Sequence, residues 1–267
     1  MPPDAQRAYL DAAMTAPRGT TIRFSTHPRC VTDERLALVA PYPISMIELG
    51  ISSLDDDVLS ACGRGYEGSD ALSSVSRLLD LGFGTGVQLM IGLPRQTPES
   101  SLEDLRLLAA VKGPRDMALR IYPTLVLPGT DLDGLCTAGS YEPLGISRAI
   151  EWTAVMVLSA LDLGFSPQRI GLAETESLKA SRPKGPYHPA FGEFAWAESL
   201  SALLARNSAT GPWAVSERAF SILHSHAAFG VRKLAERTGN SPALVRSHLR
   251  FPAAASRNIP KRGVTFR

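Results

Sequence analysis

A carboxylate, two guanidiniums, an amide and two hydroxyl side chains stand at spacings that could serve ligand chemistry. Arg23 and Ser25 lie in residues 21–26 (TIRFST), Glu48 in residues 45–54 (SMIELGISSL), Gln88 in residues 87–97 (VQLMIGLPRQT), and Arg120 and Tyr122 in residues 119–122 (LRIY). Strand side chains alternate between two faces. Ile47, Leu49 and Ile51 therefore share one side, and Met46, Glu48 and Gly50 the other. By the same parity Val87, Leu89 and Ile91 stand opposite Gln88, Met90 and Gly92. Polar groups on matching faces suit a concavity filled by water or a ligand. Glu48 either forms an ion pair with Arg23 or Arg120 or touches a ligand directly, and both readings need that concavity. The His27-x-x-Cys30 pair is a weak metal signal on its own. His188, between Tyr187 and Pro189, reads as a structural hydrogen-bonding group, and Tyr141 as part of an ordered surface loop.

The elements that must position these residues are strands alternating with helices. Helices are expected over 55–61, opened by Asp55, Asp56 and Asp57, and over 69–81, closed by Gly82. Two more are expected over 98–111, with Pro98 at the start, and over 146–163. Parallel strands need long crossovers, so this alternation predicts an α/β fold. A doubly wound sheet would bury apolar side chains on both faces of its central strands. The polar faces here predict a barrel-type sheet instead, with helices packed outside.

The 267 residues, 44% of them hydrophobic, suffice for one domain and a small appendage. The expected division is residues 1–206 as a barrel domain and 207–267 as a helical extension with a basic tail. Three cysteines and no secretory signal point to the cytoplasm. Residues 152–163 are the most apolar run, but Glu151 and Asp162 bound it and it is short for a membrane helix. The net charge of +2 hides an asymmetry. Beyond Glu236 there is no carboxylate, whereas Arg237, Arg246, Arg250, Arg257, Lys261, Arg262 and Arg267 are all basic. Residues 230–249 (GVRKLAERTGNSPALVRSHL) read as two short helices joined at 238–240, with Ser241 as cap and Pro242 at the first helical position. This spacing resembles a helix-turn-helix, with basic residues able to meet phosphates, including those of a tRNA. A helical appendage closing one end of the barrel is the plainer reading.

The strings IRFSTHPRCVT, IELGISSLDDDVLSACGRGY, QLMIGLPRQTPESSLEDL, RIYPTLVLPGTDL and GPYHPAFGEF, in that order, resemble the radical S-adenosylmethionine (radical SAM) superfamily. The nearest branch is similar to the radical domain of the Elongator catalytic subunit, with oxygen-independent coproporphyrinogen III oxidase-like proteins more distant. The resemblance runs from about Pro2 to about Glu198. It implies a partial (β/α) barrel binding S-adenosylmethionine and a [4Fe–4S] cluster at the C-terminal ends of its strands, and radical chemistry on a substrate such as a modified nucleoside or tRNA. It places Glu48 and Ser52 near the cofactor, and Gly92 with Met90 in a turn against its adenine side. Arg23, Ser25, Gln88, Arg120 and Tyr122 become cofactor-pocket positions.

The chain also departs from that family. Its cluster is held by cysteines in a CxxxCxxC-like loop, whereas Cys30, Cys62 and Cys136 are scattered, so no metal ligand is assigned. The opening MPPDAQRAYLDAA matches an internal family segment, so the first βα units are expected to be absent, leaving an open sheet edge for a partner or self-association to cover. Arg95 replaces a family glycine, and its turn is expected to have ordinary geometry, with the side chain in solvent. Two functions follow: a radical SAM enzyme whose cluster loop lies outside these residues, or a non-catalytic binding or partner protein that could take nucleic acid through the C-terminal helices. Catalysis by these residues alone is not expected.

Overall fold

The computed structural model describes residues 2–251. Arg257, Lys261, Arg262 and Arg267, part of the basic tail, lie outside the described residues. The chain runs through α1 (Pro3–Ala13), β1 (Ile22–Thr26), a 3-10 turn (Pro28–Cys30), α2 (Asp33–Val39), β2 (Ile44–Ser52), α3 (Asp56–Ala61), α4 (Gly68–Asp80), β3 (Thr85–Ile91), α5 (Pro98–Lys112) and β4 (Ala118–Pro123). It continues through α6 (Asp131–Thr137), α7 (Ile146–Asp162), β5 (Ser166–Ile170), α8 (Glu176–Ala180), α9 (Phe191–Asn207), β6 (Trp213–Ala214), α10 (Glu217–Thr238), α11 (Pro242–His248) and β7 (Leu249–Arg250). The expected helices over 55–61, 69–81, 98–111 and 146–163 correspond to α3, α4, α5 and α7.

The fold is α/β, built on a five-stranded sheet in the order β1-β2-β3-β4-β5. The pairs from β1 to β4 are parallel. Two compact units divide the chain: Met1–Thr124 with Ser159–Arg169, and Leu125–Leu158 with Ile170–Arg267. In the first, local caps set the helices. Asp55 Oδ1 accepts from the Asp57 and Val58 amides and opens α3. Thr97 and Ser100 form a reciprocal capping box at α5, with Pro98 in the first turn. The apolar faces of β2, β3 and β4 carry Ile47, Leu49, Ile51, Val87, Leu89, Ile91, Leu119 and Ile121, all fully buried. Val75 and Leu78 of α4 and Leu105 and Leu108 of α5 are buried as completely. Each such side chain contributes roughly 1.5–3 kcal/mol, so this face anchors the sheet and leaves the other free for polar groups.

The second unit has its own core. Leu200 and Leu204 of α9 join Trp213, Val215, Leu223, Val231, Leu234, Val245 and Leu249. Arg206, the last residue of the expected barrel domain, lies within α9, and residues on both sides of it belong to this unit. Within α10 the helical path is interrupted at Ser225–Ala228, where His226, Ala227 and Ala228 have φ of 49°, 56° and 56°. No helix among the described residues is long and apolar enough to cross a membrane.

Candidate ligand-binding face

Strand register turns the polar residues of four strands into one patch. Ser25 lies level with Glu48, Glu48 with Gly86, and Gln88 with both Gly50 and Arg120. Met90 lies level with Tyr122. Glu48 is the hub, only 2% exposed. The Arg23 guanidinium donates to its Oε1, and Ser25 Oγ donates to Oε2 at 3.2 Å. Arg120 Nε stands 2.8 Å from Oε1 as an ion-pair contact, although its N–H makes no hydrogen bond of acceptable geometry. Arg120 also donates to the Tyr122 hydroxyl at 3.2 Å, and Gln88 Nε2 to Ser25 Oγ at 2.9 Å. Gly86 makes room for this arrangement. A Cβ there would fall 2.9 Å from Glu48 Cγ.

Both arginines of the ion-pair alternative engage Glu48 at once. Two cations against one carboxylate leave the cluster with a net positive charge, while most guanidinium N–H groups stay available. Arg23 and Arg120 side chains keep 35% and 23% of their exposure. The patch is therefore donor-rich, suited to carboxylates, phosphates or ribose oxygens.

The strand ends beyond this patch are tied down separately. β2 gains an extra residue between Gly50 and Ser52, and Ser52 takes a φ of 72° there. Ser52 is thus buried in a bulge rather than level with Glu48's partners. Asp104 of α5 holds the next turn, accepting from Ser53 Oγ and the Leu54 amide, both at 2.9 Å. Burial pushes its carboxyl up to about 6 against those two hydrogen bonds. The Arg64 guanidinium donates to the Gly50 carbonyl and the Tyr66 hydroxyl to that of Ile51. His27 packs edge-on against Tyr66, ring centroids 4.9 Å apart. Burial first, then Arg64 and Arg29, push the His27 imidazolium's pKa down. After β3, Gly92 has φ 77° and Arg95 φ 64°, and the Gln96 side chain braces the turn on the Leu93 amide and Met90 carbonyl. The expectation of ordinary geometry at Arg95 is corrected. Its side chain is exposed, but its backbone occupies the left-handed region that a glycine would enter freely.

A family model for the radical SAM superfamily matches residues 2–108, and one for the radical SAM C-terminal domain matches residues 117–200. The chain belongs to the radical SAM superfamily. A tRNA uridine(34) acetyltransferase of Dehalococcoides mccartyi (strain CBDB1) is 30% identical over 120 residues, 44% of this chain and 26% of that protein. Elongator complex protein 3 of Mus musculus is 30% identical over 146 residues, 55% of this chain and 26% of that protein. The chain thus spans about a quarter of the length of these two relatives. The archaeal Methanocaldococcus infernus Elp3 with an N-terminal deletion superposes with a TM-score of 0.60 at 20% identity, covering 73% of this chain and 50% of that one. That likeness concerns the fold, a partial radical SAM barrel.

The superfamily's iron–sulfur cluster does not fit the residues present. Among the described residues no three His, Cys, Asp or Glu side chains come together to hold a metal ion. Cys30 closes the 3-10 turn, Cys62 follows α3 and Cys136 lies in α6; all three are free thiols. His27, the other half of the H-x-x-C pair, uses Nδ1 to accept from the Arg29 amide at 3.3 Å. Burial raises the Cys62 thiol pKa, opposite to what a ready thiolate ligand needs. The donor-rich face, by contrast, fits a nucleoside cofactor: Gly50 and Gly92 carry no side chain there, and Gln88 and Tyr122 offer polar groups.

Sequence parity placed Arg23, Ser25, Glu48, Gln88, Arg120 and Tyr122 together, and the structure does the same. Asp104, Arg64, Tyr66 and Gly86 were not foreseen. Only Gly86 carried a local signal, a small residue two positions before Gln88 on the same face.

Proposed function

We propose that this chain binds S-adenosylmethionine on the donor-rich face of β1–β4, as the cofactor-binding part of an Elongator-like radical SAM protein, and that its own cysteines do not assemble the cluster. The observation that carries this reading is the convergence of Arg23, Ser25, Gln88, Arg120 and Tyr122 around one buried carboxylate. When bound, the cofactor supplies the sulfonium group on which the superfamily's radical chemistry depends. The chain's residues bind and orient. Glu48 fixes both guanidiniums, and their remaining N–H groups face the side where a ligand carboxylate or ribose would sit. Gln88 and Tyr122 complete a polar rim, Met90 an apolar wall, and Gly50 and Gly92 leave space for a flat base. The relatives' names support a tRNA nucleoside as the substrate class of such a protein.

Equilibrium dialysis of the full chain with labelled S-adenosylmethionine tests the binding. Gln88→Ala and Tyr122→Phe should each weaken it about tenfold, the worth of one hydrogen bond to a charged or strongly polar group. No saturable binding, or binding indifferent to both variants, would remove the face as the site. Anaerobic addition of iron and sulfide should give no [4Fe–4S] absorbance. A stable cluster would overturn the statement about the cysteines.

A further inference from the structure

The break in α10 is the longest run of left-handed backbone among the described residues, and it falls where the local sequence favours a helix. His226, Ala227 and Ala228 occupy that region in succession. An L residue there brings its Cβ against the following carbonyl oxygen, so such residues normally occur singly and as glycine, asparagine or aspartate. A histidine and two alanines are none of these. Alanine is the strongest helix former, and residues 217–228 contain neither glycine nor proline. A continuous α10 of 22 residues would be about 33 Å long and free of this strain.

Tertiary contacts hold the turn instead. His226 Nε2 lies 2.7 Å from Glu193 Oε2 on α9, and its ring tilts onto Phe194 with centroids 4.6 Å apart. The Arg232 guanidinium donates to the Ala227 carbonyl, and Ser225 Oγ donates to the Ile222 carbonyl at 2.8 Å. Beyond the turn the chain folds back on what precedes it. A Cβ at Gly230 would fall 2.7 Å from Leu223 Cδ2 and 3.3 Å from Ala197 Cβ, so the second half of α10 lies hard against both its first half and α9. Val231, Leu234, Val245 and Leu249, all after the turn, share a core with Leu200, Leu204, Trp213 and Leu223, all before it. Arg237 pairs with Glu198, Asn240 Nδ2 donates to the Ala209 carbonyl at 2.8 Å, and β7 pairs with β6. Each of these contacts joins the two sides of the turn, and none requires both sides to belong to one chain.

We propose that the segment after Ala228 exchanges between two copies of this chain, with α10 straightened into one helix, to give a domain-swapped dimer. The surface that receives the exchanged segment needs no new complementarity. It is the core that a single chain already buries, rebuilt twice with identical contacts. What distinguishes the two forms is the hinge, left-handed in the monomer and helical in the dimer. Strain released at two hinges offsets the lost translational and rotational freedom that opposes association, and a short strained hinge is the arrangement that invites exchange. The hinge belongs to the second unit and the proposed cofactor face to the first, so failure of the exchange would leave that reading untouched.

The test is light scattering coupled to size-exclusion chromatography of the full chain, refolded from urea at micromolar and at near-millimolar concentration. A dimer should accumulate at the higher concentration. Joint Ala227→Gly and Ala228→Gly substitution frees the left-handed turn of strain and weakens the straight helix, so it should raise the dimer dissociation constant more than about a hundredfold. Glu193→Ala removes the surface contact that holds His226 in the turn, and should lower that constant about fivefold. Both variants should keep the helical circular dichroism spectrum. Association through any other surface would be indifferent to the hinge. A monomer at every concentration, a dimer that the glycine pair leaves as tight, or a dimer that Glu193→Ala weakens would overturn the proposal.

Discussion

Glu48 on β2 and Glu198 on α9 are both nearly excluded from solvent, at 2% and 1% exposed, yet they sit in different kinds of surroundings. Glu48 faces two arginines and a serine, and a glutamine and a tyrosine extend that network. Among the described residues Glu198 pairs through Oε1 with Arg237 alone, while its Oε2 has no hydrogen-bond partner. Burial of a carboxylate is therefore not by itself a sign of function. What sets Glu48 apart is the surplus of donors gathered around it on an open sheet face. Two turns differ in the same way: Gly239 takes a φ of 68° without a side chain to strain, whereas Arg95 takes 64° with one.

The largest expected effect is at Glu48. Glu48→Met leaves Arg23 and Arg120 facing one another with no counter-charge, and removing one partner from a buried ionic cluster costs about 3–5 kcal/mol. Urea denaturation should show that loss in the midpoint at an unchanged slope. A loss below about 1 kcal/mol would mean that the arginines relax into solvent, and Glu48 would no longer differ in kind from Glu198.

Asp104 extends the comparison to a buried carboxylate with hydrogen bonds and no cation. Burial raises its pKa to about 6, above the ordinary 3.8. Between those values the folded protein holds the proton more tightly than the unfolded chain, so this group's contribution falls as pH rises through that window and is level above it. Two pKa units correspond to about 3 kcal/mol. Denaturant midpoints across pH 4–7 should therefore reveal a wild-type slope that Asp104→Asn flattens. Parallel profiles for the two proteins would place the Asp104 titration at its ordinary value.

The polar face was legible in the sequence because strand parity depends only on local backbone, and residues two apart in β1, β2, β3 and β4 must share a side. β5 was not, since its sequence SPQRI includes Pro167 and shows no apolar alternation. Asp104 looked like one more acid in the first half of α5, beside Glu103; its role comes from β2's end, far away in sequence. The bulge before Ser52 arises from pairing with β3, and the α10 interruption falls in Ser-His-Ala-Ala, which contains neither glycine nor proline. Non-local contacts decide Asp104's role and the bulge before Ser52.

The two turns predict smaller effects of opposite sign. Arg95→Gly should stabilise the fold by about 0.5–1 kcal/mol, because it relieves the left-handed backbone at an exposed site. Gly239→Ala should destabilise by about 1 kcal/mol through backbone conformation alone. Among the described residues nothing lies within 4 Å of a Cβ built at Gly239, so no steric clash with them contributes. Thermal denaturation of both variants measures the pair. Equal signs would show that the Arg95 side chain stabilises its turn enough to offset the strain.

The smallest expected effect is at Glu198. Arg237 is 40% exposed, so its guanidinium can turn to water when the carboxylate is removed. A methionine of similar volume would occupy the space between α9 and α10 without the desolvation burden of the partnerless Oε2. The lost ion pair and the relieved burial then offset each other, because the remaining arginine is hydrated rather than left as an uncompensated buried charge. Glu198→Met should change stability by less than about 1 kcal/mol, measured by the same urea titration used for Glu48. A loss as large as that of Glu48→Met would show that one arginine serves a buried carboxylate as well as two do. The distinction between the sheet face and the helical pair would then rest on donor surplus alone.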